Sequence, residues 1–565
     1  MERRVLLAIS LSFLVLFVYQ SYFAPQPKPA ATPVTAPATP SEGGKEPPAP
    51  SAASATPAAV APPATPAPAS SPVAVEEGES AERDITVDTA TVQAVFTNRG
   101  ARLKHWILKQ YRNDAGQPLD LVPSAENVNN AYTPFSLAVE DQALTSTLNG
   151  ALYRSDAPGK IDASGGPVTL TFTWKGAGGV RVSKTFTLEP RGYIIGFTAD
   201  VQHDGQSVNP TIQWGPGLGD DNAHAAAGKF LAPSYSTPAQ AVAHVDRSVK
   251  RFAPATQGSE DGPFLYAGID DHYFTALALN DAASPQSWKF EHTSFVVPPK
   301  SEGAAPGRYA AFAIRYPQPP AGQRFFAGPK GFDELRAIDT ELVRVINFGM
   351  FSWLAVPLLN ALKWVHQYVG NWGWAIVVLT VLINLAMFPL RQKSVTSMRK
   401  MQEIQPQMKL IQDRYAKYKI TDPERQKMND EVMALYKAKG VNPASGCVPM
   451  LLTFPFLFAF YAMLSQSIEI RGADFVGWIT DLSRPDPLYI TPLLMGATMF
   501  WQQRIAPTSA DPVQQRVMMI MPLMFTFMFL SYPSGLVIYW TISNLWAIGQ
   551  QYLTTGLVSP ARAKS

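Results

Sequence analysis

The sequence predicts a multi-domain membrane protein: an α-helical bundle of six spans, a large antiparallel β-sandwich on the outer side, and a cytoplasmic helical hairpin. Three observations predict it. Only 16% of the 565 residues are charged, against about 25% in soluble globular chains, yet mean hydropathy is −0.02, so very apolar and polar stretches must coexist. The chain carries 50 prolines, where average usage of about 5% would give ~28. Hydrophobic periodicity changes from two residues before Gly331 to steps of three and four after it.

Residues 1–24 open with Arg3 and Arg4 and continue as an apolar run. A cleaved signal peptide shares that start, but no small-x-small site follows, and the chain passes through Tyr22 and Phe23 to Pro25. An uncleaved transmembrane anchor with a cytoplasmic N-terminus is the favoured reading, although the run is short against the ~20 residues of a span. Residues 25–80 are almost all Pro, Ala, Thr, Ser and Val. They cannot bury a core and form a disordered, semi-rigid tether.

Residues 81–330 have β texture. Val168, Leu170, Phe172 and Trp174 alternate with polar or small residues, then Gly176-Ala177-Gly178-Gly179 turns the chain into Val180, Val182, Phe186 and Leu188. That is a hairpin with one buried face. Shorter alternating runs at 86–97, 193–201, 273–279 and 309–314 extend the pattern into a sandwich of many strands.

Residues 331–369 form an amphipathic interfacial region. Leu335, Ile338, Leu342, Val345 and Ile346 predict one helix, and 350–369 predict a second in the membrane interface, anchored by Trp353 and Trp364. The second to sixth spans fall at 370–391, 443–466, 487–503, 516–531 and 535–553. Between them lie a cytoplasmic hairpin at 392–442, an outer loop at 467–486 and an inner loop at 504–515, with a tail at 554–565. In the hairpin, Met401, Ile404, Met408, Ile411 and Tyr415 step by three and four, and Asp422-Pro423 reads as an N-cap with proline at the first helical position. Coiled-coil and plain amphipathic packing fit it equally.

Charge sidedness orients the chain. Arg3, Arg4, Arg391, Lys393, Arg399, Lys400, Arg504, Arg516, Arg562 and Lys564 fall on one side if the spans alternate. The opposite loop carries Glu469, Asp474, Asp481 and Asp486 against Arg471 and Arg484. By the positive-inside rule both termini are cytoplasmic and the β domain is periplasmic.

Several function classes are excluded. A net charge of +3 gives no footprint for nucleic acid. The single cysteine, Cys447, forms no internal disulfide and no cysteine-cluster metal site. The seven histidines lack H-x-x-x-H and H-E-x-x-H spacings, and there is neither a G-x-S-x-G elbow nor a phosphate loop. We therefore expect no enzyme activity, cofactor or metal. Glu260-Asp261 and Asp270-Asp271-His272 read as surface turns sooner than as a sugar site.

The informative residues are polar ones inside spans. Thr380 and Asn384 share a helix face, and Arg391 lies on about the same face, ~10.5 Å toward the cytoplasm. Trp540, Asn544 and Gln551 share a face of the last span, with Tyr539, Thr541 and Ser543 beside it. The plain reading is inter-helix hydrogen bonding worth ~0.6 kcal/mol each; the sharper one is a hydrated groove. For Arg391 alone an interfacial anchor is favoured.

Seven motifs then occur in order: Gly370-Asn371-Trp372-Gly373, Met387-Phe388-Pro389-Leu390, Met433-Ala434-Leu435-Tyr436-Lys437, Val441-Asn442-Pro443, Gly446-Cys447-Val448-Pro449, Leu494-Met495-Gly496-Ala497-Thr498-Met499-Phe500 and Tyr532-Pro533-Ser534-Gly535-Leu536. Together they resemble the YidC/Oxa/Alb family of membrane protein insertases, in the Gram-negative layout. The resemblance implies a periplasmic β-supersandwich. It also implies an inner-membrane chaperone whose groove, open to cytoplasm and lipid, admits the polar flank of a substrate while its apolar segment slides along spans three and five.

By position, Thr380, Tyr539 and Trp540 would line that groove, with Asn384 and Asn544 beside them. The family usually places a positive residue where Asn384 stands, which leaves Arg391 as a shallower positive site. Implied partners are nascent membrane proteins, the Sec translocon with its accessory subunits, the lipid bilayer and, weakly, the ribosome, since the short tail carries only Arg562 and Lys564. Two other readings compete. A secondary transporter is disfavoured because no Asp or Glu lies within a span; a sugar-binding outer domain on a membrane mount is the other.

Overall fold

The computed structural model describes residues 75–558 except 114, 123–131, 220–239, 246–247, 254–255, 298–306, 319–322, 417, 419–421, 441–447 and 506–511. The expected N-terminal anchor, nearly all of the tether, Cys447, Arg562 and Lys564 lie outside the described residues.

The outer domain is built on a ten-stranded sheet and two five-stranded sheets. The hairpin read from the sequence is present: Val168–Gly176 pairs antiparallel with Val180–Leu188, with Leu170, Phe172 and Trp174 buried on one face with Val182 and Phe186. One pairing departs from the antiparallel expectation, Asp84–Asp88 running parallel to Lys160–Asp162. Aromatic rings fill the core. Phe135 packs within 5.2 Å, centroid to centroid, of Phe186, Phe197, Trp214 and Phe325. Such rings remove large apolar areas from water, at roughly 25 cal/mol per Å².

Among the described residues one α-helix interrupts the strands, α1 (Gln142–Gly150), capped by Asp141, whose carboxylate accepts from the N–H of Ala143 and Leu144. Its shortness hides it among the alternating runs. Lys184 is fully buried, and its Nζ donates to the carbonyls of Gly100 (2.6 Å) and Phe135 (2.8 Å). It ties the hairpin to two separate segments of backbone.

After the last strand, Gln323–Pro329, comes α2 (Phe332–Ile338). The single amphipathic helix expected over Leu335 to Ile346 is instead α2 followed by a 3₁₀ turn, Leu342–Val345. The break has a local cause. Asp339 is extended, with φ −160°, and its carboxylate accepts from the Glu341 N–H at 2.8 Å, a competing turn of the kind short acidic side chains favour.

The helix expected over 350–369 is present as α3 (Ser352–Val369) and ends at left-handed Gly370. It leaves Trp353, Trp364 and Tyr368 exposed while burying Leu358, Leu359 and Leu362. Asn371 then caps α4 (Trp372–Arg414), a continuous helix of 43 residues. The expected second span and the expected first hairpin arm are thus one helix, with no break at residues 391–392. The second arm is α5 (Pro423–Ala438), started by Asp422 as expected. Glu431 joins the arms, accepting from Tyr415 Oη at 2.8 Å and pairing with Arg414 at 3.0 Å.

Four more helices follow: α6 (Val448–Gln466), α7 (Ile490–Ile505), α8 (Pro512–Phe529) and α9 (Ser534–Val558). Among the described residues one helical stretch, Trp372–Lys393, is long and apolar enough to cross a membrane by length and composition. Phe454–Gln466 and Met519–Phe529 are shorter apolar stretches. Gly496 lets α7 approach α8: a Cβ there would stand 1.9 Å from Thr526 Oγ1, the small-residue contact that lets helices pack closely.

Candidate functional site

The site grows from the pitch of two helices. In α9, residues 539 and 543 share one face, and residues 540 and 544 share the next, about 100° round. The first face turns toward α6 and α4: Tyr539 stacks on Phe460 at 4.2 Å, and Ser543 meets Asn384. The second turns toward α8 and α7. Trp540 packs on Phe525 and Phe529 at 5.6 and 4.9 Å, and Asn544 Nδ2 donates to Thr498 Oγ1 at 3.1 Å.

On α4, Thr380 and Asn384 are buried, at 0% and 2% exposure. Thr380 Oγ1 donates back to the carbonyl of Ile376 at 2.6 Å. Asn384 Nδ2 donates to the Thr380 carbonyl at 2.8 Å, with Ser543 Oγ further off at 3.4 Å. Its remaining oxygen accepts from Arg391 Nη1 at 2.8 Å. Side chains in a helix lean toward its N-terminus, so Arg391 reaches up two turns into the bundle. The half-buried guanidinium sits on Asn384. Arg391, Asn384, Ser543 and Tyr539 therefore form one polar file, Ser543 lying within hydrogen-bonding reach of Tyr539.

The structure thus brings Asn384, Arg391 and Tyr539 together, keeps Thr380 one turn away with its hydroxyl occupied, and turns Trp540 and Asn544 to other neighbours. Ser543 completes the file; in the sequence it is named only beside the polar face of the last span and not among the groove residues. Its signal was available in its spacing from Tyr539 at i, i+4.

Residues 467–489 are hydrogen-bonded to the starts of α4 and α9. Asn371 Nδ2 donates to the Asp474 carbonyl at 3.1 Å, Ser534 N to Arg484 O at 2.8 Å, and Gly535 N to Leu482 O at 3.0 Å. Asp486 caps α7, accepting from Thr491 N at 2.7 Å, Leu488 N at 2.9 Å and Trp478 Nε1 at 2.9 Å. Burial opposes its charge, yet these hydrogen bonds hold its carboxyl below the usual range.

The acidic motifs of the outer domain separate. Glu260 pairs with Lys250 at 2.5 Å on an exposed edge. Asp270, Asp271 and His272, expected on a surface turn, are buried. Lys330 and Arg251 pair with Asp270 at 3.4 and 3.9 Å, and the backbone of Tyr273 and Phe274 donates to Asp271. With those partners, burial of the acids no longer carries the penalty of isolated charges.

Two family models match, the YidC periplasmic domain over residues 84–361 and the 60Kd inner membrane protein over residues 364–560. Membrane protein insertase YidC of Syntrophus aciditrophicus is 34% identical, the match covering 98% of this chain and 99% of that one. The YidC insertases of Citrifermentans bemidjiense and Geobacter sulfurreducens are 36% and 35% identical, covering 98% and 100% of both chains. A crystal structure of an active YidC insertase with its first transmembrane domain resolved is similar at 16% identity and a TM-score of 0.36, over 86% of this chain and 95% of that one. On these full-length relatives and both family models, the chain belongs to the YidC family of membrane protein insertases.

Proposed function

We propose that this insertase receives the polar flank of a nascent or newly made membrane protein along the file of Arg391, Asn384, Ser543 and Tyr539, and releases the apolar segment to lipid beside α6 and α8. In bare hydrocarbon each unpaired polar group costs several kcal/mol, and a line of donors and acceptors inside the bundle lowers that cost. The observation that carries the reading is the Arg391–Asn384 hydrogen bond within the apolar stretch of α4. The charge that the family usually places at position 384 is delivered there by a side chain seven residues further on. Thr380, Trp540 and Asn544 border the file, and substrates with acidic flanks are the ones it favours.

In this reading α4, α6, α7, α8 and α9 are spans two to six and residues 1–24 are the first. Both termini are cytoplasmic and the β domain is periplasmic, as charge sidedness implies. The Sec translocon with its accessory subunits is a working partner, and ribosome docking is weak. The chain acts without enzymatic chemistry.

Photo-crosslinkers at Thr380, Ser543 and Trp540 test it during synthesis of a single-span protein. Ser543 is expected to capture the polar flank and Trp540 the apolar segment. No crosslink from any of the three would count decisively against the groove.

A further inference from the structure

We propose that the outer β domain holds a binding site of its own, a polar cleft that takes an uncharged saccharide chain. The cleft grows from the register of four strands. Thr185 of Val180–Leu188 stands opposite Thr198 of Ile194–His203, and Thr187 stands opposite Gly196. Gly196 pairs in turn with Arg324 of Gln323–Pro329, and Arg324 with Leu279 of Phe274–Leu279. Side chains alternate along a strand. Phe186 and Phe197 therefore fill the core, while the threonines and Arg324 share the opposite face. Gly196 keeps the floor open, since a Cβ there would stand 3.2 Å from the Cβ of Thr187.

The cleft over this floor measures about 640 Å³, within the ~300–1,000 Å³ usual for small-molecule sites. Its rim is fixed. Asn280 commits its whole side chain to the turn after Leu279: Nδ2 donates to the carbonyls of Phe264 at 2.9 Å and Gln286 at 2.7 Å, and Oδ1 accepts from Asp281 N at 3.0 Å and Gln286 N at 3.2 Å. The rings of Trp288 and Tyr316, which also line the cleft, meet edge-on at 5.1 Å.

Three lining residues hold unpaired hydrogen-bonding groups. Trp288, Tyr316 and Gln323 are nine-tenths buried or more. Yet Trp288 Nε1, Tyr316 Oη and Gln323 Oε1 have no hydrogen-bond partner among the described residues. Such groups cost stability, and folded chains pair nearly all of them. Here a donor, an acceptor and a hydroxyl able to be either fall in the wall of one cleft. A ligand seated there reaches them by a small rotation of each side chain.

The same wall selects the ligand. Among its described residues Leu279 is the one aliphatic side chain, so the apolar side chains of a peptide find no pocket. One carboxylate, Asp281, balances one guanidinium, Arg324, which matches a neutral ligand. The hydroxyls of a saccharide, each both donor and acceptor, complement the threonine floor and the unpaired wall groups. Glycoside hydrolysis takes a pair of carboxylates, and the described lining has one, so the saccharide is held and not cleaved.

The full-length chain in nanodiscs is titrated calorimetrically with maltotriose, cellotriose and tri-N-acetylchitotriose, and with a Ser/Leu hexapeptide. At least one trisaccharide is expected to bind with a Kd below about 1 mM. Tyr316→Phe deletes a single unpaired oxygen, and Gln323→Met removes the carboxamide at similar length. Each is expected to weaken binding about tenfold. Tyr316→Phe is also expected to leave the thermal midpoint unchanged or raised. A midpoint lowered by Tyr316→Phe shows that its hydroxyl is bonded within the fold, and overturns the site. Binding of no trisaccharide, preference for the hexapeptide, or binding unchanged in the double variant overturns it equally.

Discussion

Acid should loosen the joint in which His272 Nε2 meets the Ser465 carbonyl of α6 at 2.5 Å, and His272 sets how much. Burial, with the Lys330 ammonium nearby, pushes its imidazole down from 6.5 to about 4. The unfolded chain takes up this proton near 6.5 and the folded chain only near 4. Between those values the unfolded state holds the extra proton, so the stabilisation is fully present above pH 6.5 and is lost as pH falls toward 4. A gap of about 2.5 units corresponds to a loss on the order of 3 kcal/mol. Glu334 acts with the opposite sign. Burial and the nearby Glu469 carboxylate push its carboxyl up to about 6, so it protonates first in the folded chain and supports the fold as pH falls through 6. The total acid response is therefore partly cancelled, and the comparison must be a difference. Urea unfolding of the nanodisc-embedded chain, followed by tryptophan fluorescence, is measured from about pH 4 to pH 7 for the native chain and for His272→Gln. Glu334 is common to both and drops out. The native chain should lose stability relative to His272→Gln as pH falls through this window. A flat difference, or one of opposite slope, would refute the reasoning.

Four further outcomes are expected. Arg391→Ala should weaken insertion of substrates with acidic flanks more than of those with neutral flanks, read by protease protection of the translocated end. Gly496→Val should lower the thermal midpoint in detergent, since the new side chain collides with Thr526 and overpacking costs about 1–3 kcal/mol. Lys184→Ala leaves the Gly100 and Phe135 carbonyls without this donor and opens a hole in the core; a loss of about 3 kcal/mol is expected in urea unfolding of the outer domain. Asp486→Ala removes the α7 cap and the Trp478 bond, and amide exchange at Leu488 and Thr491 should quicken by an amount consistent with about 1–2 kcal/mol.

What was legible in the sequence is what local chemistry decides. The Val168–Leu188 hairpin follows from strict alternation around a glycine turn, and the start of α5 from Asp422 and Pro423. Helix existence and type over 352–369 and through the bundle follow from apolar runs. What was not legible depends on distant partners. Asp270 and His272 look like turn residues because Lys330 and Ser465, which justify their burial, lie 60 and 193 residues away. The break at Asp339 escaped because steps of three and four fit an α-helix followed by a 3₁₀ turn as well as one helix. In the candidate site, residue types were readable and directions were not. Asn544 and Ser543 are neighbours in sequence on faces about 100° apart, and only packing decides that Ser543 meets Asn384.

The unbroken course of α4 has a mechanical consequence. At 1.5 Å per residue its 43 residues make a shaft about 65 Å long, carrying Asn384 in the bundle and Arg414 against the second hairpin arm. A torque applied at the Arg414 end would reach Asn384 through continuous helix, with no loop between them. Pro389 and Pro406 are the two places where the shaft lacks a backbone donor and can flex. Pro389 falls between Asn384 and Arg391, so bending there changes the angle between the two halves of the polar file. Movement of the hairpin arm would in this way change the alignment of Arg391 with Asn384.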